Sequence, residues 1–165
     1  MVRLGRMAVL VICGAYRSGK SFLMNQLMGT GDDAGFVVGN TVKACTRGVW
    51  VHSAPLEGTF EDGSTGPVLV LDTEGLGATD KTENYDDRIF TLALLLASKL
   101  VYNSVGTIDE KSIQRLSFIS NLAKMLTKVE SESSVGEGGE SPFPQFLWLL
   151  RDFALKLTDS QGRSI

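Results

Sequence analysis

The sequence predicts an α/β fold, a doubly wound and mostly parallel sheet with helices on both faces. Three observations predict it. Met7 to Cys13 is an unbroken apolar run, as a central strand covered on both faces requires. Short apolar strands then alternate with helix-length segments, the pattern of parallel crossover units. Finally, GAYRSGKS, DTEG and LLRDF each follow or close an apolar run. Three unrelated polar motifs therefore gather beyond the carboxyl ends of strands, where such sheets bind ligands.

After the first strand, Gly14 to Gly19 forms a turn. Lys20 to Met28 reads as a helix, with Phe22, Leu23, Leu27 and Met28 as apolar contacts near helical spacing. Gly29 to Gly39 is a glycine-rich loop. Gly48 to Ser53 (GVWVHS) is a strand, Pro55 to Pro67 a polar turn, and Val68 to Leu71 a short strand running into DTEGLG. Asp86 to Ser98 is helical and Leu100 to Ser104 strand-like. Asp109 to Val129 is a long amphipathic helix, with Ile113, Leu116, Ile119, Leu122 and Leu126 along one side. Residues 130–142 (ESESSVGEGGESP) are acidic, rich in Ser and Gly and devoid of large apolar groups, so a solvated, mobile insertion is expected. Phe146 to Leu150 is the last strand and leads into Arg151 and Asp152.

At 165 residues the chain suffices for one domain with a real core. Its hydrophobic content of 43% and charged content of 21% are ordinary for a soluble globular protein. A net charge of -3 gives no general attraction to nucleic acid or to an anionic membrane, so no nucleic-acid partner is expected and no membrane association is encoded in this segment. Two cysteines, Cys13 and Cys45, without a CxxC, make neither a disulfide framework nor a zinc site. They suit a reduced, cytoplasmic protein, with Cys13 as core packing. His52, the only histidine, is expected to be a partly exposed strand residue. The start, MVRLGRMAVLVICGA, has the arginines and apolar run of a secretory signal, but the run flows directly into a glycine-rich turn and reads as a strand. The apolar run from Arg88 is broken at Ser98 and Lys99, well short of the ~20 residues of a membrane span.

GAYRSGKS fits G-x-x-x-x-G-K-[ST] with a strand before it and a helix after it, the context a P-loop of a nucleotide hydrolase needs. Gly14 and Gly19 let the backbone turn without a Cβ in the way. The loop's N–H groups and the positive end of the helix then face anionic oxygens. Lys20 brings a cation to the β- and γ-phosphates, and Ser21 offers its hydroxyl to Mg²⁺. Tyr16, Arg17, Ser18 and Phe22 complete the candidate nucleotide contacts. In DTEG, Asp72 is expected to hold Mg²⁺ through a water, and the N–H of Gly75 to meet the γ-phosphate. That contact is lost on hydrolysis, which makes the segment a switch. A threonine should close over the γ-phosphate and the metal; Thr46 is the choice and Thr41 the alternative. The common guanine signature N-K-x-D is absent. Arg151 and Asp152 occupy its place, and a carboxylate accepts from both N1–H and the 2-amino group of guanine, a pair that adenine lacks.

Together, GAYRSGKSFLMNQL, TVKACTRGVW, LDTEGLG, VYNSVGTID and LLRDF resemble the guanylate-binding proteins, large GTPases of the dynamin superfamily, over nearly the whole chain. The atlastins share the phosphate loop and the Arg-Asp pair, while DTEGLG and VYNSVGTI look more like the guanylate-binding branch. The resemblance implies Mg²⁺-dependent hydrolysis of GTP to GDP, in that branch also onward to GMP. It implies coupling to a homodimer formed through the nucleotide face. It also implies that Arg17 acts as an internal arginine finger and that Glu74, together with a serine two residues before the threonine, places the attacking water. Here that serine position is Ala44, which has no hydroxyl, so slow hydrolysis is expected, and Leu76 stands where small GTPases carry a glutamine.

Residues 1–165 then correspond to the N-terminal portion of a GTPase domain. The guanine cap, the helical region and any membrane attachment belong to parts beyond this segment. Two other readings compete with a GTPase. One is a nucleotide-dependent interaction module without useful hydrolysis; the other is an ATP-using enzyme, which leaves LLRDF unexplained.

Overall fold

The computed structural model describes residues 6–30, 34–39, 45–78, 81–110, 112–114, 117, 143–156, 158, 161 and 163. Strand β1 (Ala8–Gly14) leads through the turn into helix α1 (Lys20–Met28). Strands β2 (Val49–Val51), β3 (Leu56–Thr59) and β4 (Thr65–Thr73) follow, then helix α2 (Glu83–Leu96), strand β5 (Lys99–Val105) and strand β6 (Gln145–Arg151). One sheet has the order β2-β4-β1-β5-β6, with β3 also on β4. The pairs β1–β4, β1–β5 and β5–β6 are parallel; β2 and β3 are antiparallel to β4.

Both faces are covered, as the apolar run of β1 requires. Val11 and Cys13 point to a cluster completed by Ile89, Phe90, Ala93 and Leu94 of α2. Ile12, between them, points to the opposite cluster with Met24 of α1, Val70 and Val101. Burying a side chain of this kind is worth roughly 1.5–3 kcal/mol, so the core fixes β1, β4 and β5 side by side. β1 is fully buried only from Val11 to Gly14, and β4 only from Val70 to Thr73. Their carboxyl ends are therefore the rigid ends.

Three expectations need correction. The segment Pro55–Pro67 is a hairpin, not a turn alone: Leu56 pairs with Val68 and Thr59 with Thr65. Its tip is an Asp-Gly turn, in which Gly63 has φ 77 and Asp62 accepts from the Ser64 N–H and hydroxyl at 3.0 and 2.6 Å. The alternation of Leu56 and Gly58 with exposed Glu57 and Thr59 is the strand signal that the polar composition hid. α2 begins at Glu83, not Asp86, because the Thr82 hydroxyl caps the Tyr85 N–H. On α1 Leu23 and Met28 pack against the core as expected and Met24 is buried with them, while Phe22 and Leu27 are 48% and 60% exposed. His52, just beyond β2, is half-buried, with its ring nitrogens 2.8 Å from the Ala54 and 3.0 Å from the Ala34 carbonyl oxygens. Of the long helix expected over Asp109–Val129, the described residues 110, 112–114 and 117 are helical; the remainder, and the insertion over 130–142, lie outside the described residues.

Asn25 ties α1 to the segment that follows it. Its amide donates to the Phe36 carbonyl at 2.8 Å and accepts from the Phe36 N–H at 2.7 Å, fully buried. Asn25→Ala strands two backbone groups in the core, a cost of about 1–3 kcal/mol each. The expected outcome is a melting temperature lower by at least roughly 4–8 °C, read by circular dichroism.

Candidate functional site

The carboxyl ends of β1 and β4 lie side by side, and the two turns that leave them are stitched together. Tyr16 N–H donates to the Leu76 carbonyl at 2.8 Å and Leu76 N–H to the Gly14 carbonyl at 3.0 Å. Gly75 packs so closely here that a Cβ would stand 2.5 Å from Tyr16 Cα and 3.1 Å from Lys20 Nζ. Gly14 has φ 142 and Gly19 φ 78, and Arg17, though not glycine, is left-handed at φ 58. The loop is thus a series of peptide reversals held against a second strand end.

A cavity of about 140 Å³ opens over this floor, lined by Tyr16, Arg17, Gly19, Lys20, Ser21, Phe22, Val37, Val38, Gly39, Cys45, Thr46, Thr73 and Gly75. Lys20 is buried at its base and donates to the Ala15 carbonyl at 3.0 Å. Burial lowers the Lys20 pKa; Asp72, Cys13 and Glu74 pull it back up. An anionic ligand would act in the same direction as those three groups.

Beside Lys20, three oxygen-bearing side chains meet. Asp72 Oδ2 accepts from Ser21 Oγ at 2.6 Å and from Thr46 Oγ1 at 3.0 Å, and the two hydroxyl oxygens are 3.5 Å apart. Asp72 Oδ1 is buried without a protein partner. Burial raises the Asp72 pKa, against the Ser21 hydrogen bond, the Lys20 charge and the Thr46 hydrogen bond. A buried carboxylate with an unpartnered oxygen and two hydroxyls suits a hard cation. The small set of hard oxygen donors fits Mg²⁺, which keeps several waters and takes substrate phosphates as further ligands.

Glu74 is turned elsewhere. It is 1% exposed and is not among the groups lining the cavity. Its Oε2 accepts from the Gly48 N–H at 2.9 Å and from the Tyr85 hydroxyl at 2.7 Å, and Lys81 Nζ lies 3.6 Å from Oε1. Burial would raise its pKa, but Tyr85, Gly48 and Lys81 together hold it below the usual carboxylate range. The same hydrogen bond raises the Tyr85 pKa. Asp86, one residue on, accepts from the Gly77 N–H, so α2 grips this turn at two points.

At the far end of the sheet, β6 brings Arg151 back to the loop: its Nη1 donates to the Ser18 carbonyl at 3.0 Å. Asp152 follows, exposed and left-handed at φ 53. The structure thus gathers Tyr16, Arg17, Gly19, Lys20, Ser21, Phe22, Thr46 and Gly75 around one cavity, with Asp72 behind Ser21 and Thr46. Gly14 and Ser18 support the loop from below, Arg151 braces it, and Asp152 stands next along the chain. Ala44 and Thr41 lie outside the described residues. The motifs left Asn103, Tyr85 and Thr73 unassigned. Asn103 is a fully buried polar residue near the carboxyl end of β5, and it donates to the Ser18 carbonyl and hydroxyl at 2.7 and 3.1 Å. An amide near the end of an apolar strand, the one that pairs directly with β1, was its available signal.

The model of the guanylate-binding protein N-terminal domain matches residues 2–164. The chain belongs to the guanylate-binding protein family. It is 43% identical over 157 residues to guanylate-binding protein 3 of Homo sapiens, a match covering 90% of this chain and 25% of that protein. To guanylate-binding protein 1 of Homo sapiens it is 42% identical over 159 residues, covering 92% and 26%. To guanylate-binding protein 2 of Mus musculus it is 40% identical over 158 residues, covering 90% and 25%. The chain spans about a quarter of the length of these guanylate-binding proteins. A solved structure of the mammalian SRP receptor aligns with 87% of this chain and 60% of its own at a TM-score of 0.31 and 19% identity. Among the described residues no helix is long and apolar enough to cross a membrane.

Proposed function

We propose that this chain binds a guanine nucleotide at the cavity beyond β1 and hydrolyses GTP to GDP with Mg²⁺. The observation that carries the reading is the meeting of Ser21, Thr46 and Asp72 beside the buried Lys20. Ser21, Thr46 and Asp72 would hold the metal, Asp72 through a water; when bound, Mg²⁺ neutralises charge on the β- and γ-phosphate oxygens. Lys20 supplies a fixed cation to the same oxygens from a site where burial strengthens the interaction. Gly75 is held within reach of Lys20 and offers its N–H at the γ-phosphate end. Arg17 stands exposed at the cavity mouth. In this reading it is completed as a finger when two nucleotide faces meet in a homodimer. Asp152 selects guanine through N1–H and the 2-amino group.

Release of phosphate by the purified chain, with GTP and Mg²⁺ at rising protein concentration, tests this. Metal-dependent release with a specific activity that rises with concentration is expected. GTP bound tightly without release at any concentration selects the second reading, a nucleotide-dependent interaction module. The orientation of Glu74 toward Tyr85 and Lys81, away from the cavity, favours that alternative. Ser21→Ala removes one hydroxyl from the proposed metal site. A hydrogen bond or ligand contact to a charged group is worth about 1.5–3 kcal/mol, so Mg²⁺-dependent nucleotide affinity should fall roughly 10- to 100-fold by calorimetry.

A further inference from the structure

We infer that Asn103 and Arg151 are positioning residues for the phosphate loop, and that Arg151 acts on the loop's backbone where the sequence suggested it would read the base. The inference rests on the polyphosphate reading of the loop. Its geometry is that of a clamp on one carbonyl. Asn103 lies near the carboxyl end of β5, directly across from Gly14, and is fully buried. Its amide nitrogen lies 2.7 Å from Ser18 O and 3.1 Å from Ser18 Oγ. Arg151 Nη1 reaches the same Ser18 O at 3.0 Å and occupies the space beside Gly19, where a Cβ would stand 2.5 Å from it.

A carbonyl with two donors, one of them cationic, is fixed in direction. In a planar trans peptide the next N–H points the opposite way. Holding Ser18 O toward β5 and β6 therefore turns the N–H of Gly19, which lines the cavity, away from those strands. Ser18 sits between two left-handed residues, Arg17 at φ 58 and Gly19 at φ 78, and successive N–H groups in such turns form anion-binding concavities. The clamp stabilises a backbone that would otherwise have to be ordered by the ligand itself, which is the physical content of preorganisation. It also joins the two halves of the proposed site. Gly106 N–H donates to the Arg151 carbonyl at 2.8 Å, so the residue preceding Asp152 is held at both its backbone and its side chain.

The test separates backbone bracing from base reading with a ligand that has no base. Inorganic tripolyphosphate and the 5′-(β,γ-imido)triphosphates of guanosine and adenosine, each with Mg²⁺, are titrated into the full chain by calorimetry, with melting temperature read in parallel. Arg151→Met and Asn103→Ala should each weaken every ligand by a common factor of roughly tenfold. Arg151→Lys keeps one donor and the charge, and should recover part of the loss for each. Asp152→Ala should weaken the guanosine ligand and leave tripolyphosphate as it was. Tripolyphosphate bound equally by the unaltered chain, Arg151→Met and Asn103→Ala would overturn the clamp. So would losses in Arg151→Met confined to the guanosine ligand. If guanosine and adenosine ligands bind alike while the tripolyphosphate losses persist, the guanine reading fails and the clamp stands.

Discussion

Arg17→Ala is expected to bind GTP as the unaltered chain does and to turn it over more slowly by a factor of about 10³–10⁵, the worth of an arginine finger. Arg17 lies at the mouth of the cavity, exposed, on the loop between Tyr16 and the buried Ser18. Arginine and alanine both meet the steric cost of its left-handed φ of 58, so the substitution leaves the backbone's preference unchanged. A group that acts only when charge develops on the transferred phosphoryl lowers kcat and leaves ground-state binding alone. Arg17→Lys keeps the charge but not the planar fork, and should recover a small part of the rate. Phosphate release under saturating GTP and saturating protein measures it. A kcat equal to that of the unaltered chain in Arg17→Ala would remove the finger from the account.

Gly14→Ala is expected to produce the largest loss of stability. Gly14 closes β1 with φ 142, and a Cβ there would stand 2.0 Å from the carbonyl oxygen of Asn103, a backbone atom of a paired strand. Neither partner can give way without parting β1 from β5. Strain at such a backbone costs on the order of 1–3 kcal/mol and overpacking a further 1–3 kcal/mol, against a total stability of about 5–15 kcal/mol for a domain. Gly29→Ala is the control. Gly29 has φ 64, but nothing lies within 4 Å of the Cβ position, so only the left-handed penalty of about 1–2 kcal/mol applies. Urea unfolding of both variants checks the difference. Equal midpoints would mean that the approach of β5 to Gly14 is not as close as described.

What the sequence made legible were features written locally. The apolar run Met7–Cys13 marks a strand buried on both faces, and β1 with clusters on either side is that strand. The helix after the phosphate loop begins at Lys20 and ends at Met28, bounded by left-handed glycines at 19 and 29. The hairpin of β3 and β4 was hidden because only one of its faces is apolar and its tip is polar. On α1 Leu23 and Met28 were read correctly, but Phe22 belongs to the cavity wall and Leu27 to the exposed surface, and Met24 takes their place in the core. What could not be read were the long-range contacts. Ser18 and Arg151 are 133 residues apart in the chain, and nothing in LLRDF says that the arginine turns to the loop's backbone. The direction of Glu74 likewise depends on Tyr85 and Lys81, which enter from a helix start that the periodicity placed three residues late.

The central claim is that the turn after β1 holds a polyphosphate while Asp152 selects its purine, and competition between nucleotides tests it most directly. A fluorescent guanine nucleotide bound to the chain with Mg²⁺ is displaced by GTP and, separately, by ATP. Two hydrogen bonds to a carboxylate, at about 1.5–3 kcal/mol each, correspond to a preference for GTP of roughly a hundredfold or more. That preference should collapse in Asp152→Ala, while the weaker binding of ATP stays unchanged. Equal displacement by GTP and ATP, or a preference for GTP that survives Asp152→Ala, would contradict the account.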